Sequence, residues 1–193
     1  MRGTGLALAA MLAMAGCVAP GSGSDPARAP ILAGSMMLAA PTGYCIVPGS
    51  RLERGDDALA LMGRCAGEDS RPPAVLTLTI GAKGSASGFE AGGGTQLATW
   101  MRSAPGRAAL SRRGRAEDLR VDQITGAASA LLIRLHDTGA ETAVEPAAWR
   151  AVLPLKGRLV TLTVAGPRDT PLPETTGRQL LEAFIARMRA ANP

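Results

Sequence analysis

The single histidine of the chain is its best candidate for acid–base catalysis. His136 is followed directly by Asp137, and a serine hydrolase would also need a nucleophile and an orienting carboxylate around that histidine. Ser87 and Ser129 are available by residue type, but neither lies in a Gly-x-Ser-x-Gly turn. His136 closes an apolar run just before a polar turn, where an exposed polar side chain is expected. The sequence therefore predicts that the protein is not an enzyme.

Metal ligands and phosphate-binding motifs are sparse in this sequence. Zinc sites need clustered cysteine and histidine, and Glu53, Asp56 and Asp57 lack the spacing of a calcium-binding loop. Residues 81–94 are rich in glycine and precede a predicted helix, as phosphate-binding loops do. They contain neither Gly-x-x-x-x-Gly-Lys-[Ser/Thr] nor Gly-x-Gly-x-x-Gly. We expect no metal and no cofactor, and a mobile loop over these residues.

Four arginines form the densest basic cluster of a chain whose net charge is +5: Arg107, Arg112, Arg113 and Arg115. Runs of like charge most commonly form a solvated surface. The alternative is a docking site for anionic lipid headgroups, a polysaccharide or an acidic protein. Two tryptophans, one tyrosine and two phenylalanines offer few platforms for base stacking, so no nucleic-acid partner is predicted.

Residues 1–16 have the three parts of an export signal: a positive start, a short apolar segment and small residues before a cleavage site. Arg2 supplies the charge, and residues 6–15 form the apolar run. That run is well short of the roughly twenty residues that span a bilayer as a helix. The sequence Met14-Ala15-Gly16-Cys17 resembles the lipobox of bacterial lipoproteins, in which the cysteine is acylated and becomes the mature N-terminus. Met14 departs from the leucine that is usual in that family.

The lipobox resemblance implies a lipid anchor on Cys17. The alternative is an ordinary signal peptide cut near Ala15 or Ala19, with Cys17 incidental. Residues 17–30 are rich in Gly, Ser, Pro and Ala and should form a flexible linker, followed by a globular domain over 31–193. Lipoproteins kept at the inner membrane often have aspartate after the cysteine. Because this chain has Val18, the resemblance implies the periplasmic side of the outer membrane.

Once Cys17 is assigned to the lipid, Cys45 and Cys65 remain as a pair. Exported domains meet an oxidising compartment, in which such a pair forms a disulfide. If the chain folds back around Gly55, the two cysteines should lie directly opposite each other in an antiparallel pair, within disulfide range. The pair lacks the Cys-x-x-Cys spacing of redox-active sites. We therefore expect a structural disulfide.

Short apolar runs between turn residues predict the strands. The clearest of them alternate apolar residues with threonine, and one run is almost continuously apolar and should lie centrally in a sheet. The predicted strands are 36–40, 44–47, 58–65, 74–80, 119–125, 130–136, 148–153 and 158–165.

Two regions have helical patterns. A helix that begins at Thr95 as its N-cap should be followed by a second helical stretch at 107–113. A terminal helix at 176–190 should be capped by Thr176 together with Gln179. The residues expected on the buried faces have helical spacing and are Leu97, Trp100, Met101 and Ala104 in the first helix and Leu181, Phe184, Ile185 and Met188 in the last.

This order of elements predicts an α+β fold in a single domain, with a mainly antiparallel sheet of about six to eight strands covered by two helices. The order resembles PsbP-like domains, in which helices flank an antiparallel sheet and which sometimes occur as lipoproteins. The segments Pro41-Thr42-Gly43-Tyr44-Cys45 and Ala148-Trp149-Arg150 also resemble parts of uncharacterised envelope lipoproteins. Neither resemblance implies an activity.

The anchor, the linker and the missing catalytic residues favour a non-catalytic envelope protein. We expect it to be held at a membrane by its N-terminal lipid and to dock an envelope protein or a cell-wall component. The alternative is a carrier or sensor of a small or lipidic ligand held between the sheet and a helix. A large apolar cavity beneath the helix of Leu97 and Trp100 would favour this alternative.

Overall fold

An eight-stranded antiparallel sheet is the frame of the protein. The computed structural model describes residues 25–127, 129–139 and 143–193. The strands of the sheet are β3 (Tyr44–Ile46), β4 (Leu52–Arg54), β5 (Asp57–Arg64), β6 (Val75–Ile80), β7 (Leu119–Ala127), β8 (Ala130–Asp137), β9 (Ala147–Leu155) and β10 (Arg158–Ala165). Their spatial order is β3-β5-β6-β10-β9-β8-β7, and β4 pairs with β5 on the same side as β3. The predicted α+β class and antiparallel sheet are confirmed.

A separate hairpin precedes the sheet. It consists of β1 (Arg28–Ile31) and β2 (Met36–Ala39), which pair in antiparallel register. Ile31, Met36 and Leu38 are buried in the main hydrophobic core. The strand β1 takes in the last three residues of the predicted linker, so that part of the expectation is wrong. Burial of Ile31 on one side of the hairpin explains why the backbone is ordered there.

The sequence pattern located eight of the ten strands, and β10 has the predicted bounds. The strand β4 lies between two predicted strands, in residues for which the sequence predicted no strand. Its three residues are all exposed, so burial imposes no alternation on them. Backbone pairing with β5 across the turn after Arg54 forms this strand instead.

One face of the sheet is covered by the terminal helix, α3 (Glu174–Ala191). Its predicted apolar stripe is confirmed, because Leu181, Phe184, Ile185 and Met188 are all buried. The predicted cap is wrong. The helix begins two residues earlier than expected, after Pro173, and Thr176 lies inside its first turn. Proline at this position starts the helix without a side-chain hydrogen bond.

Two shorter helices, α1 (Gly94–Arg102) and α2 (Ala104–Leu110), lie on the opposite face. Met101 and Leu110 pack there with Leu119, Ile133 and Val152, which belong to β7, β8 and β9. This pair of helices therefore covers one half of the face. No helix of the described residues covers the other half, formed by β5, β6 and β10.

The start and the buried face of α1 differ from the prediction. A kinked turn at Phe89–Gly93, in which Gly92 has a φ of 90°, leads directly into α1. Thr95 therefore lies inside the helix and is not an N-cap. Met101 is buried as expected, but Trp100 is 45% exposed. The helical stripe is broken at Ser103, where the backbone is extended and the side chain caps α2. Ala104 therefore belongs to α2 and is exposed.

Candidate docking surface and ligand grooves

The helices α1 and α2 and the start of β7 form a surface rich in arginine, here called the basic end. Between residues 98 and 123 the chain has six arginines and three carboxylates. Arg102, Arg107 and Arg120 line a groove of about 430 Å³ between the helices and β7. Trp100, in the last turn of α1, is one of the few large apolar side chains of the described residues that are well exposed. This surface combines positive charge with an exposed aromatic ring.

The charges of Arg102 and Arg107 are held by neutral acceptors. The Arg107 Nη1 donates to the Arg102 carbonyl oxygen at 2.6 Å, and its Nε donates to the Ala116 carbonyl at 3.4 Å. The Arg102 Nη1 donates to the carbonyl of Ala98, also at 3.4 Å. Carbonyl groups orient a guanidinium without cancelling its charge. Glu117 also lines the groove, so three guanidinium groups stand against one carboxylate and the lining keeps a positive net charge that an anionic partner can use.

The predicted cluster of Arg107, Arg112, Arg113 and Arg115 is only partly available for docking. Arg115 makes two 2.8 Å hydrogen bonds to the Asp118 carboxylate. This pairing lowers the pKa of Asp118 and raises that of Arg115. The Arg112 backbone N–H donates to the Asp137 carboxylate at 2.7 Å, and its Nη2 lies 3.4 Å from the Glu145 carbonyl. Arg113 is exposed, and its backbone N–H donates to the Ser111 hydroxyl.

Arg102 and Arg120 were not predicted as members of the basic end, although each lies only five residues from the predicted cluster. The 3₁₀ turn Ala116–Asp118 and the following strand bring Arg120 beside the end of α1. Arg120 is ion-paired with Asp122, and the Arg120 side chain is 72% exposed. Exposed pairs of this kind contribute little free energy, so a partner can replace them.

Trp149 and Arg150, which the sequence singled out as a family-like segment, have structural roles on opposite faces of β9. The Trp149 Nε1 donates to the Glu174 carbonyl at 3.0 Å, at the start of α3. The Arg150 Nη1 donates to the Leu110 carbonyl at 3.0 Å, at the end of α2, and its Nε donates to Thr163 at 3.1 Å. Burial lowers the pKa of Arg150 to about 10, which keeps it charged at neutral pH. These two adjacent side chains thus hold the start of α3 and the end of α2 in place.

The arrangement around His136 does not resemble a hydrolase site. His136 lies between Arg120 of β7 and Ala147 of β9. The carboxylate of Asp137 accepts from the backbone N–H groups of Arg112 and Gly139, at 2.7 and 2.9 Å, so it braces loops and does not orient the imidazole. Within the described ranges, no three His, Cys, Asp or Glu side chains gather closely enough to hold a metal ion.

A groove of about 740 Å³ lies beneath α1, between the helix and the end of the β7–β8 hairpin. Phe89, Ala98, Ile124, Leu131 and Pro154 give it an apolar lining. Its volume lies within the range of pockets that hold small ligands. The groove is open to solvent and is also lined by Glu90, Thr95 and Ser129, so it meets the expectation of a large apolar cavity in size and only partly in its lining.

A second groove, of about 550 Å³, lies on the open half of the sheet. Leu59 and Leu159 lie beside Thr79 and Thr161 on its floor, and Leu52 forms one side. Hydrogen bonds hold the end of this groove in place. The buried Arg158 donates through Nη1 to the carbonyls of Asp56 and Gly81, at 2.7 and 3.0 Å, and through Nη2 to the Asp56 carboxylate. The ion pair and the Lys83 backbone N–H lower the pKa of Asp56.

The disulfide between Cys45 and Cys65 is present, with a Cα–Cα distance of 5.0 Å. The predicted register is wrong in detail. Cys45 is paired with Gly63, and Cys65 lies just beyond β5, where its N–H donates to the Gly43 carbonyl. The half-cystines are therefore diagonal neighbours. The bond connects the edge strand β3 to the segment that leads into β6.

Replacing both half-cystines by alanine should lower the free energy of unfolding by about 3 kcal/mol, because the oxidised unfolded chain carries a closed loop. Urea titration of oxidised wild type and of the Cys45→Ala/Cys65→Ala variant measures the difference. Reduced wild type is the matched control and should unfold with the double variant. Equal midpoints for oxidised and reduced wild type would contradict a stabilising role.

The predicted lipid site, Cys17, and the signal segment lie outside the described residues. Among the residues that are described, no helix has both the length and the hydropathy needed to cross a membrane.

Comparison with protein-family models gives no match, and comparison with curated proteins gives none. Among solved structures, the chain is similar to the solution structure of cyanobacterial PsbP (CyanoP) from Synechocystis sp. PCC 6803. The similarity covers 91% of this chain and 98% of that chain, with 11% identity and a TM-score of 0.37. That protein is a PsbP, and the order of elements in this chain resembles PsbP-like domains.

Proposed function

We propose that this protein is a lipid-anchored, non-catalytic component of a bacterial envelope that docks an acidic envelope protein through its basic end. The observation that carries this proposal is that α1 exposes a tryptophan and also contributes an arginine, Arg102, to a positively charged groove. Trp100 is 45% exposed, although apolar residues of that size are usually buried. Tryptophan and arginine are the residue types that most often dominate the binding energy of protein interfaces.

The first described residues and the basic end lie at different edges of the sheet, so the described N-terminal segment leaves the proposed docking surface accessible. The first described residues lie beside β3, where the Ile46 N–H donates to the Pro26 carbonyl at 2.8 Å. The basic end is at β7, the opposite edge of the sheet. Seven strands spaced by about 4.8 Å separate these edges by roughly 28 Å. The basic end therefore lies at the edge opposite to the one where the described chain begins.

A carrier of a small or lipidic ligand is the second candidate function. The groove beneath α1 favours it, because about 740 Å³ of largely apolar space is available there. Native mass spectrometry of the purified lipidated chain tests this candidate. A bound ligand that is lost in an Ala98→Trp variant, which would fill the groove, would support it. A ligand-free mass spectrum would count against it.

Photocrosslinking in the native envelope tests the docking proposal. A benzophenone side chain at position 109, an exposed site on α2, should capture a defined acidic protein. Adding Trp100→Ala and Arg102→Gln should lower the capture about tenfold or more, since each hot-spot side chain can contribute over 1 kcal/mol.

Two controls make this result specific. Trp100→Ala with Arg102→Lys keeps the positive charge and isolates the aromatic contribution. Arg178→Gln removes an exposed arginine of α3 that pairs with Glu182 and should leave the capture unchanged. Equal capture by the Trp100→Ala/Arg102→Gln variant and wild type would contradict the proposal. Capture of an anionic polymer without any protein would do the same.

A further inference from the structure

The outer edge of β7 is long, and no other described strand pairs with it. The strand runs over Leu119–Ala127 and, among the described residues, pairs only with β8. At the opposite edge, β3 and β4 have three residues each, and the Pro26 carbonyl accepts the Ile46 N–H at 2.8 Å. Native proteins protect sheet edges with short strands, bulges or charges, because unpaired N–H and C=O groups can bind another chain. The edge at β3 has such protection.

In β7 the same kind of protection is confined to the first half of the strand. Arg120 and Asp122 are charged, and the register with β8 shifts between Val121 and Gln123, as it does at a β-bulge. The second half, residues 123–127, contains no charged residue and no proline. Its five residues form an edge about 16 Å long that an extended chain could pair with.

The register of the hairpin determines which backbone groups of this second half point outward. Ala127 pairs with Ala130 across a connection of only two residues, so these two residues form a hydrogen-bonded pair. Hydrogen-bonded and non-hydrogen-bonded pairs alternate along an antiparallel ladder. The N–H and C=O groups of Gly126 and Ile124 therefore point away from β8, toward the position of an added strand.

The groove beneath α1 lies beside these outward-facing residues. Ile124, Gly126 and Ala127 line it together with Phe89 and Leu131. Residues directly opposite each other in neighbouring strands place their side chains on the same face of the sheet. A strand added opposite Ile124 and Gly126 would therefore direct two alternate side chains toward the groove. A Cβ atom on Gly126 would meet no atom within 4 Å, so there is space for them.

We propose that the acidic partner adds an extended segment as a strand to residues 123–127, with alternate apolar side chains in the groove beneath α1. This inference rests on the docking of the proposed function and names the mode of contact. Main-chain hydrogen bonds would supply affinity, and the groove would select the side chains. Carboxylates at the end of the segment near Arg120 would meet the positive groove there. Charge disfavours a second copy of this chain as the occupant, because pairing two β7 edges would bring two basic ends together.

Gly126→Pro tests the added strand, because it removes an N–H that faces away from β8 and leaves the β7–β8 hydrogen bonds in place. Photocrosslinking from position 109 in the native envelope should then capture about tenfold less partner. Gly126→Ala is the matched control, since it keeps the N–H and adds a Cβ in open space. It should capture as much as wild type. Both variants should keep the far-ultraviolet circular dichroism spectrum of wild type.

Two further measurements keep the test decisive if proline distorts β7. Gly126→Trp, whose side chain would occupy the groove, should lower the capture by a similar factor. A benzophenone at position 127 should crosslink the same protein as position 109, through a segment in which apolar residues alternate.

Equal capture by wild type and by folded Gly126→Pro, or by wild type and Gly126→Trp, would overturn the added strand and leave the docking surface intact. Crosslinks from position 127 to a second copy of this chain would also overturn it. Failure of the wild-type sequence to capture any protein from position 109 would overturn the proposed function and this inference together.

Discussion

Cys17→Ser should abolish incorporation of an alkyne-tagged fatty acid into the chain. Serine offers no thiol, and the apolar run of residues 6–15 is too short to serve as a stable spanning helix. Each acyl methylene that enters a bilayer contributes about 0.8 kcal/mol, so two chains hold a protein where one is marginal. The effect should therefore be all or none, the largest of any single substitution. In-gel detection of the tag after growth with the labelled fatty acid measures it.

Val18→Ala is the matched control for this experiment, because it changes the neighbouring residue and keeps the cysteine. Its labelling should equal that of wild type. Labelling of Cys17→Ser at the level of wild type would show that the lipid, if any, is elsewhere. An unlabelled wild type would contradict the anchor itself.

Phe184→Ala should lower the free energy of unfolding by about 3–5 kcal/mol, the usual cost of truncating a fully buried phenylalanine. Phe184 is completely buried in the main core, where α3 packs on the sheet. The ring fills space that neighbouring strands cannot close without moving. Chemical denaturation of the oxidised protein, with the disulfide intact in both samples, measures the change.

Glu182→Ala is the matched control, on the exposed side of the same helix. Its ion pair with Arg178 is exposed on both sides, and such pairs contribute little. We expect a change of less than about 0.5 kcal/mol in this variant. A small effect of Phe184→Ala would mean that α3 is not an integral part of the core.

The spacing of apolar residues was sufficient to predict the strands and helices that bury one face. In β10 apolar residues alternate with Thr161 and Thr163, and the stripe of α3 has helical spacing, so burial is written in the order of residues. The strands β1 and β4 were missed because each is short and lies at an edge. Pairing with a neighbour decides their conformation, and their own side chains carry no periodic signal.

The errors around α1 and the disulfide have the same origin in tertiary context. The stripe from Leu97 to Ala104 would be continuous in one long helix, but Ser103 ends α1 and exposes Trp100. Cys45 and Cys65 do form the expected bond, in a register shifted by two residues. Cross-strand register depends on turns that a count of residues from Gly55 does not define.

The sequence predicted that the candidate site is a basic surface, but it identified only some of the residues that form it. A basic docking surface was expected near Arg107, and Arg107 does line a positive groove. Arg115 was expected to contribute, yet it is paired with Asp118. Arg102 and Arg120 each lie five residues outside the predicted cluster, and the sequence alone does not show that α1 and β7 bring them to one groove. The exposure of Trp100 was the opposite of the expected burial.

These observations describe a protein with two distinct edges. The edge at β3 and β4 receives the N-terminal segment and exposes Val47 and Leu52. The edge at β7 carries the groove with Arg102 and the exposed Trp100. In our proposal the second edge meets the partner, and the sheet separates it from the N-terminal segment.

The mass of the N-terminal peptide of the mature chain, purified from membranes, tests the central claim most directly. The proposed function, a lipid-anchored docking protein, depends on the lipid at Cys17. We expect a peptide that begins at Cys17 and carries the added mass of acyl groups. A peptide that begins at another residue, or one that begins at Cys17 with a free thiol and amine, would contradict the account.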